Sequence, residues 1–169
     1  MNGGKPGTLG AINMKNLFLF VFLCTSFVLS IGQTTKKKAK ISHPSFIDYK
    51  VDTLFTGEKH LIDYKSNITA RRFKTRITTT YDEKGLNFGG HYCFVAWGCG
   101  SPCQASAIVD LQTGKVYDGP AAALGYNFKI DSRMLIVNPI DATGFFVGCP
   151  YCDQEIWVLN EQSKTFMRK

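Results

Sequence analysis

The stretch AIVDLQTGKVY, residues 107–117, decides the fold because it contains a complete β-hairpin. An apolar run ends at Leu111, a polar turn follows around Thr113, and the chain returns through Val116. Gly114 lies where the turn needs a positive φ angle, which glycine adopts without a steric penalty. An apolar run, a turn that contains glycine and a second apolar run predict two antiparallel strands.

Further short apolar runs, separated by turn residues, predict the other strands of an antiparallel meander. They lie at residues 94–97, 134–137, 143–148, 155–159 and 165–167. A weak internal repeat aligns residues 103–117 with residues 152–166, so that Lys115 matches Lys164 and Tyr117 matches Phe166.

One helix is predicted over residues 67–83. Ser66 or Asn67 can serve as its N-cap. Apolar side chains recur along one face, at Ile68, Phe73, Ile77 and Tyr81. The predicted class is therefore mainly β (α+β), an antiparallel meander of hairpins with one packed helix, stapled by disulfides.

Residues 1–32 have the features of a signal peptide. A basic residue, Lys15, precedes an apolar run at residues 17–29, and small residues precede a cleavage position at Gln33. The run is shorter than the roughly 20 residues that span a bilayer as a helix. An uncleaved helix anchored by the following lysines is the alternative. We interpret residues 1–13 as an upstream extension.

The signal predicts a periplasmic or secreted protein with no stable membrane insertion after cleavage. A Lys-rich leader at residues 33–43 precedes a single globular domain at residues 44–169. The whole chain has a net charge of +7, but the leader carries most of the excess and the domain is nearly neutral. We therefore expect no nucleic-acid partner. The one dense basic stretch of the domain, residues 71–76, is interpreted as a solvated helix face, with an anion site as the alternative.

Two close cysteine pairs follow the signal, and an exported domain of this size favours disulfides. The pairs are Cys99 with Cys103 and Cys149 with Cys152, each among turn-forming glycines and prolines. Local pairing is favoured over cross-pairing, although a cross-link closes a longer loop and stabilises by about 4 rather than about 2 kcal/mol. A four-cysteine zinc site is the metal alternative, which an oxidising compartment disfavours. We expect no metal and no cofactor.

Two enzyme alternatives remain open beside a non-catalytic role. Cys149 and Cys152 form the C-P-Y-C sequence of thiol-redox motifs, but the chain after Cys152 is too short for a thioredoxin-like fold. His91 and Cys93 are spaced to share one face of a strand, as a Cys/His hydrolase would require. No other catalytic motif is present, so a non-catalytic binding module is the favoured prediction.

Several stretches resemble, in order, an uncharacterised family of exported bacterial proteins. They are RFKTR at 72–76, NFGGHY at 87–92, WGCGSPC at 97–103, IVDLQTGKVY at 108–117 and DSRMLIV at 131–137. The family signature is N-F-x-G-H-Y, W-G-C-G-x-x-C and D-x-x-T-G-x-V-Y. The resemblance implies an exported bacterial protein and no established activity.

The same region is where a binding face is predicted. Its candidate residues are Asn87, His91, Tyr92, Trp97 and Arg72. The predicted partner is an envelope or extracellular protein, or a glycan.

Overall fold

The structure is a computed structural model that describes residues 44–140 and 152–169, together with Gly3. The predicted signal peptide, the leader and the predicted strand at 143–148 lie outside the described residues.

The described part of the chain contains two short helices and seven strands, numbered here in chain order. A 3-10 turn, Phe46–Tyr49, precedes them. The helices are α1 (Ile68–Arg72) and α2 (Lys74–Lys84). The strands are β1 (Tyr92–Gly100), β2 (Cys103–Asp110), β3 (Val116–Asp118), β4 (Tyr126–Phe128), β5 (Met134–Val137), β6 (Glu155–Asn160) and β7 (Thr165–Arg168).

These strands form two antiparallel sheets. The first has the order β1-β2-β3, and the second has the order β4-β5-β6-β7. Within each sheet, every strand pairs with the next along the chain, so both sheets are meanders, as predicted. The class is mainly β with two antiparallel sheets, and the predicted hairpin is formed by β2 and β3.

The first part of strand β1, Tyr92 to Val95, is buried on both faces, and its side chains alternate between them. Cys93, Val95 and Trp97 join a core cluster with Ile77 and Tyr81 of α2. This cluster holds the helices against the first sheet.

The opposite face of β1 packs against the second sheet. Tyr92 and Phe94 share a second core cluster with Ile108 of β2, Leu135 of β5 and Leu159 of β6. The layers are therefore helices, first sheet and second sheet, with the β1–β2 ladder in the middle layer.

The helical segment is divided rather than continuous. Phe73 interrupts it with φ −113° and ψ 27°, which separates α1 from α2. Asn67 caps α1 by accepting a hydrogen bond from the Ala70 N–H at 3.0 Å, which confirms one of the two predicted caps. The predicted apolar face was wrong at Ile68, which is exposed, because Ala70 rather than Ile68 shares a face with Ile77.

The β2–β3 and β6–β7 hairpins use the same turn. Asp110 accepts hydrogen bonds from the Gln112 N–H and the Thr113 hydroxyl, and Gly114 has φ 73°. Asn160 likewise accepts from the N–H groups of the second and third turn residues, and Lys164 has φ 56°. Asp110 therefore corresponds to Asn160, which shifts the repeat by one residue from the predicted alignment.

This shift shows how the two hairpins stack. In the alignment set by the turns, Ile108 corresponds to Val158, yet Ile108 and Leu159 are the residues that enter the shared cluster. Neighbouring residues of a strand face opposite sides. The two hairpins thus contribute opposite faces to the contact, and the sheets stack front to back.

Replacing Gly114 with alanine should strongly destabilise the domain. A Cβ atom there would collide with the Leu61 carbonyl oxygen, in addition to the cost of a positive φ angle. Gly85→Ala is the matched control, since Gly85 has φ 55° but open space around it. We expect urea denaturation to show that Gly114→Ala loses about 2 kcal/mol more than the control. Equal losses would mean that the close approach of Leu61 does not matter.

Candidate functional site

An open groove runs between the edge of the first sheet and the β6–β7 hairpin of the second. Its volume is about 740 Å³. On one side lie Ser66, Asn67 and residues 115–120, and on the other lie Trp157 and the β6–β7 turn. Three other clefts among the described residues are smaller, with volumes of about 440, 340 and 230 Å³.

Aromatic side chains form the apolar part of the groove. Tyr117, Trp157 and Phe166 line it, and each is partly buried against the cluster between the sheets. The Trp157 indole N–H donates to a Glu155 carboxylate oxygen at 2.8 Å, and Glu155 also pairs with Arg168 at 3.1 Å. The indole ring is thereby held in one orientation.

Polar groups border these rings. The Asn67 side-chain amide donates to Asp118 at 3.0 Å, and the Ser66 hydroxyl accepts from the Val116 N–H at 3.0 Å. The Lys115 side chain is exposed and forms no ion pair within the described residues. The groove therefore offers both donors and acceptors next to flat apolar surfaces.

A cluster of titratable groups lies where β1 meets the β6–β7 turn. The buried Tyr92 hydroxyl donates to a Glu161 carboxylate oxygen at 2.7 Å and accepts from the Lys164 ammonium at 2.6 Å. Lys164 also donates to the same oxygen at 2.9 Å. The His91 Nε2 atom lies 3.8 Å from it. Lys164 belongs to both the cluster and the groove lining.

The cluster shifts the pKa values of its members. Burial, followed by the hydrogen bond to Glu161, raises the pKa of Tyr92 far above its usual value, so the hydroxyl stays protonated. Burial acts to raise the pKa of Glu161, but the hydrogen bonds from Lys164 and Tyr92 outweigh it and lower the pKa. Glu161 is therefore a carboxylate at neutral pH, and the cluster joins the two sheets.

Three residues of the predicted binding face lie near the start of β1. The Asn87 side chain bonds the Phe94 backbone twice, donating to its carbonyl at 3.1 Å and accepting from its N–H at 2.6 Å. Tyr92 is fully buried, and the His91 ring lies 4.0 Å from the Tyr92 ring. All three stabilise the start of β1, and a role in binding stays a prediction.

The other two residues of that face lie beside the helices. Trp97 is buried against Phe73, with ring centroids 4.7 Å apart. The exposed Arg72 guanidinium lies 5.9 Å from the Phe73 ring centroid. The Trp97 indole nitrogen is buried with no hydrogen-bond partner among residues 44–140 and 152–169, and an unpaired buried donor costs about 1–3 kcal/mol. The predicted face thus divides into two separate locations.

The structure does not bring Cys93 and His91 together. The Cys93 thiol is buried on the helix side, where it donates to the Thr80 carbonyl at 3.8 Å. Burial raises its pKa to about 12, although Lys59 acts to lower it. His91 instead contacts Tyr92 and Glu161. A thiol in this state is a poor nucleophile.

The structure describes one of the two predicted cysteine pairs in full. Cys99 and Cys103 form a disulfide with a Cα–Cα distance of 5.1 Å, as local pairing predicts. This disulfide closes the β1–β2 hairpin beside a register shift between Gly98 and Gly100. Cys152 is buried and disulfide-bonded. Its predicted partner, Cys149, lies outside the described residues, so that pairing stays a prediction.

In residues 44–140 and 152–169, no group of three or more His, Cys, Asp or Glu side chains is arranged to hold a metal ion. No helix in this part of the chain has the length and apolar character needed to cross a membrane.

Sequence reasoning missed the groove and the cluster below it. Trp157, Glu161 and Lys164 reach Tyr117 and Tyr92 only through tertiary contact, since 69 residues separate Tyr92 from Glu161. The weak repeat was the one available signal, because it paired Tyr117 with Phe166, and both line the groove.

Comparison with protein-family models, curated proteins and solved structures finds no match to this chain.

Replacing Glu161 with glutamine tests the cluster through its pH dependence. A carboxylate whose pKa is lowered on folding stabilises the protein above its unfolded pKa, near 4.5, and the gain disappears as pH falls through the folded pKa. Glu161→Gln should lose about 1–2 kcal/mol at neutral pH, with a flatter stability profile in acid. The measurement is urea denaturation across this pH range.

Glu58→Gln is the matched control, because Glu58 is exposed and forms no ion pair among the described residues. If the free energy of unfolding falls with acid in both variants as it does in the unmodified protein, Glu161 does not stabilise the contact between the sheets.

The Cys93 thiol should resist alkylation in the folded protein. With the pKa raised to about 12 and the side chain buried, labelling by iodoacetamide at about pH 8 should be at least roughly a hundredfold slower than in denaturant. Mass spectrometry without reductant counts the modified thiol and leaves the disulfides intact. Rapid labelling of the folded protein would restore the Cys93/His91 hydrolase as a candidate.

Proposed function

We propose that this protein is an exported, disulfide-stabilised binding module without catalytic activity, and that the groove between the sheets binds a glycan. The observation that carries the proposal is the lining of the groove. Three partly buried aromatic side chains are bordered by hydroxyl, amide, carboxylate and ammonium groups. The class of module follows from the predicted signal peptide, and the Cys99–Cys103 disulfide is compatible with an oxidising compartment.

The chemistry of the groove favours sugars over other ligands. The faces of pyranose rings carry C–H groups that pack on flat aromatic rings, while their rims carry hydroxyls that both donate and accept hydrogen bonds. Trp157, oriented by Glu155, supplies such a flat surface. Asp118 and Lys115 supply an acceptor and a donor at the border. The open shape suits a chain of several sugar units rather than one enclosed ring.

A catalytic role has less support in the described residues. The Cys93 thiol is buried and protonated, and the Tyr92 hydroxyl is fully hydrogen-bonded to Glu161 and Lys164. Neither group is available to attack a bound substrate. The Cys149/Cys152 redox alternative depends on Cys149, which lies outside the described part of the chain.

Calorimetric titration with chitohexaose, the β-1,4-linked hexamer of N-acetylglucosamine, and with cellohexaose tests the proposal. We expect saturable binding of at least one of them. Trp157→Ala should lower the affinity at least roughly tenfold, and Trp157→Phe, which keeps an aromatic face, should retain most of it. Trp97→Phe is the matched control, since Trp97 lies in the helix-side cluster and away from the groove.

Two results would overturn the proposal. Failure of both oligosaccharides to bind would contradict glycan binding. Binding of a casein-derived peptide pool instead would assign the groove to peptides. Oligosaccharide binding that Trp157→Ala leaves unchanged would place the site elsewhere. Circular dichroism of each variant verifies that the fold is intact.

A further inference from the structure

A second, smaller cleft lies on the other side of the first sheet, between α2 and β1. Its volume is about 230 Å³. Its lining consists of Thr75, Arg76, Thr79, Thr80, Ala96 and Trp97. Every polar side chain in this lining can donate a hydrogen bond, and none is acidic.

The arginines beside this cleft are unpaired. Arg72 and Arg76 are exposed, lie on either side of the break between α1 and α2 at Phe73, and form no ion pair within the described residues. Arg72 is held near Trp97 through Phe73, which contacts both. The domain as a whole is nearly neutral, so these side chains concentrate positive charge at one place.

Helix stability does not explain this charge. The positive end of a helix dipole is its N-terminus, where acidic side chains are favourable and basic ones unfavourable. The first turn of α2 contains no acidic residue, while Asp82 and Glu83 lie near its C-terminal end. Lys84 lies in the last turn, where a basic residue is favourable, so the unfavourable basic charge of α2 is confined to its first turn, and an anion bound beside Arg76 would offset it.

The indole of Trp97 provides a second and independent observation. Trp97 forms part of the cleft wall and is only 7% exposed, and its Nε1 atom has no hydrogen-bond partner in the described part of the chain. Buried donors are normally paired, so an unpaired donor on a residue that lines the cleft points to an acceptor supplied from outside the described residues.

We propose that this cleft binds a phosphoryl group. Three threonine hydroxyls, the Arg76 guanidinium and the Trp97 indole N–H outnumber the two oxygens of a carboxylate and suit the several oxygens of a phosphate. The Arg72 guanidinium, which lies near the Phe73 ring beside Trp97, adds positive charge nearby. The ligand is a phosphate ester or inorganic phosphate, and its binding is independent of the glycan groove.

Fluorescence of Trp97 tests the proposal directly. The chain has two tryptophans, so Trp157→Phe leaves Trp97 as the one reporter. Inorganic phosphate, added at constant ionic strength, should change this emission saturably, whereas acetate at the same concentrations should not. Arg76→Gln should weaken phosphate binding at least roughly tenfold, because it removes the bidentate donor.

Lys84→Gln is the matched control, because it removes one positive charge from the other end of the same helix. Its affinity for phosphate should stay within about twofold of the parent. Equal weakening by Arg76→Gln and Lys84→Gln, or a change that never saturates, would show unspecific charge attraction and overturn the proposal. Acetate as effective as phosphate would overturn the phosphoryl specificity.

Two further probes distinguish a soluble phosphate ester from a lipid headgroup as the source of the phosphoryl group. Saturation by glycerol 3-phosphate would assign a soluble ester, and saturation only by vesicles that contain phosphatidic acid would assign a lipid headgroup. Both results support a phosphoryl site. If neither probe nor inorganic phosphate changes the emission of Trp97, the proposal is overturned.

Discussion

Burial of the β1–β2 ladder on both faces is the constraint on which the rest of the structure depends. Strand β1 sends alternate side chains into two different cores, so that Val95 faces the helices while Phe94 faces the second sheet. A shift of the β1 register by one residue would exchange the two sets of side chains, so that each set would face the other core. Asn87 holds the start of β1 in place by bonding the Phe94 backbone in both directions.

The position of the groove follows from this arrangement. Because the sheets stack front to back, the β6–β7 turn lies over the start of β1, where Glu161 and Lys164 meet Tyr92. The groove lies beside the short strand β3 and is bordered on its other side by Trp157 and the β6–β7 turn. The contact that joins the sheets therefore also forms one boundary of the proposed glycan site.

Several motifs singled out in the sequence have clear structural tasks in this chain. Asp110 and Thr113 close the β2–β3 turn, and Gly90 lies so close to Val51 and to the Thr53 carbonyl oxygen that a Cβ atom would not fit. Cys99 and Cys103 close the β1–β2 hairpin. These motifs thus stabilise the fold, while the groove is lined largely by residues outside them, such as Trp157.

Features that depend on neighbours along the chain could be predicted from the sequence by itself. The hairpin with a positive φ at Gly114, the Asn67 cap, the Cys99–Cys103 disulfide and strand β5 are of this kind, because each is determined within a few residues. Only the tertiary structure decided which side of β1 each residue faces, and it placed Cys93 apart from His91, Tyr92 beside Glu161, and Trp157 in a groove. These outcomes depend on how two sheets and a helix share their apolar surfaces, and no local pattern contains that information.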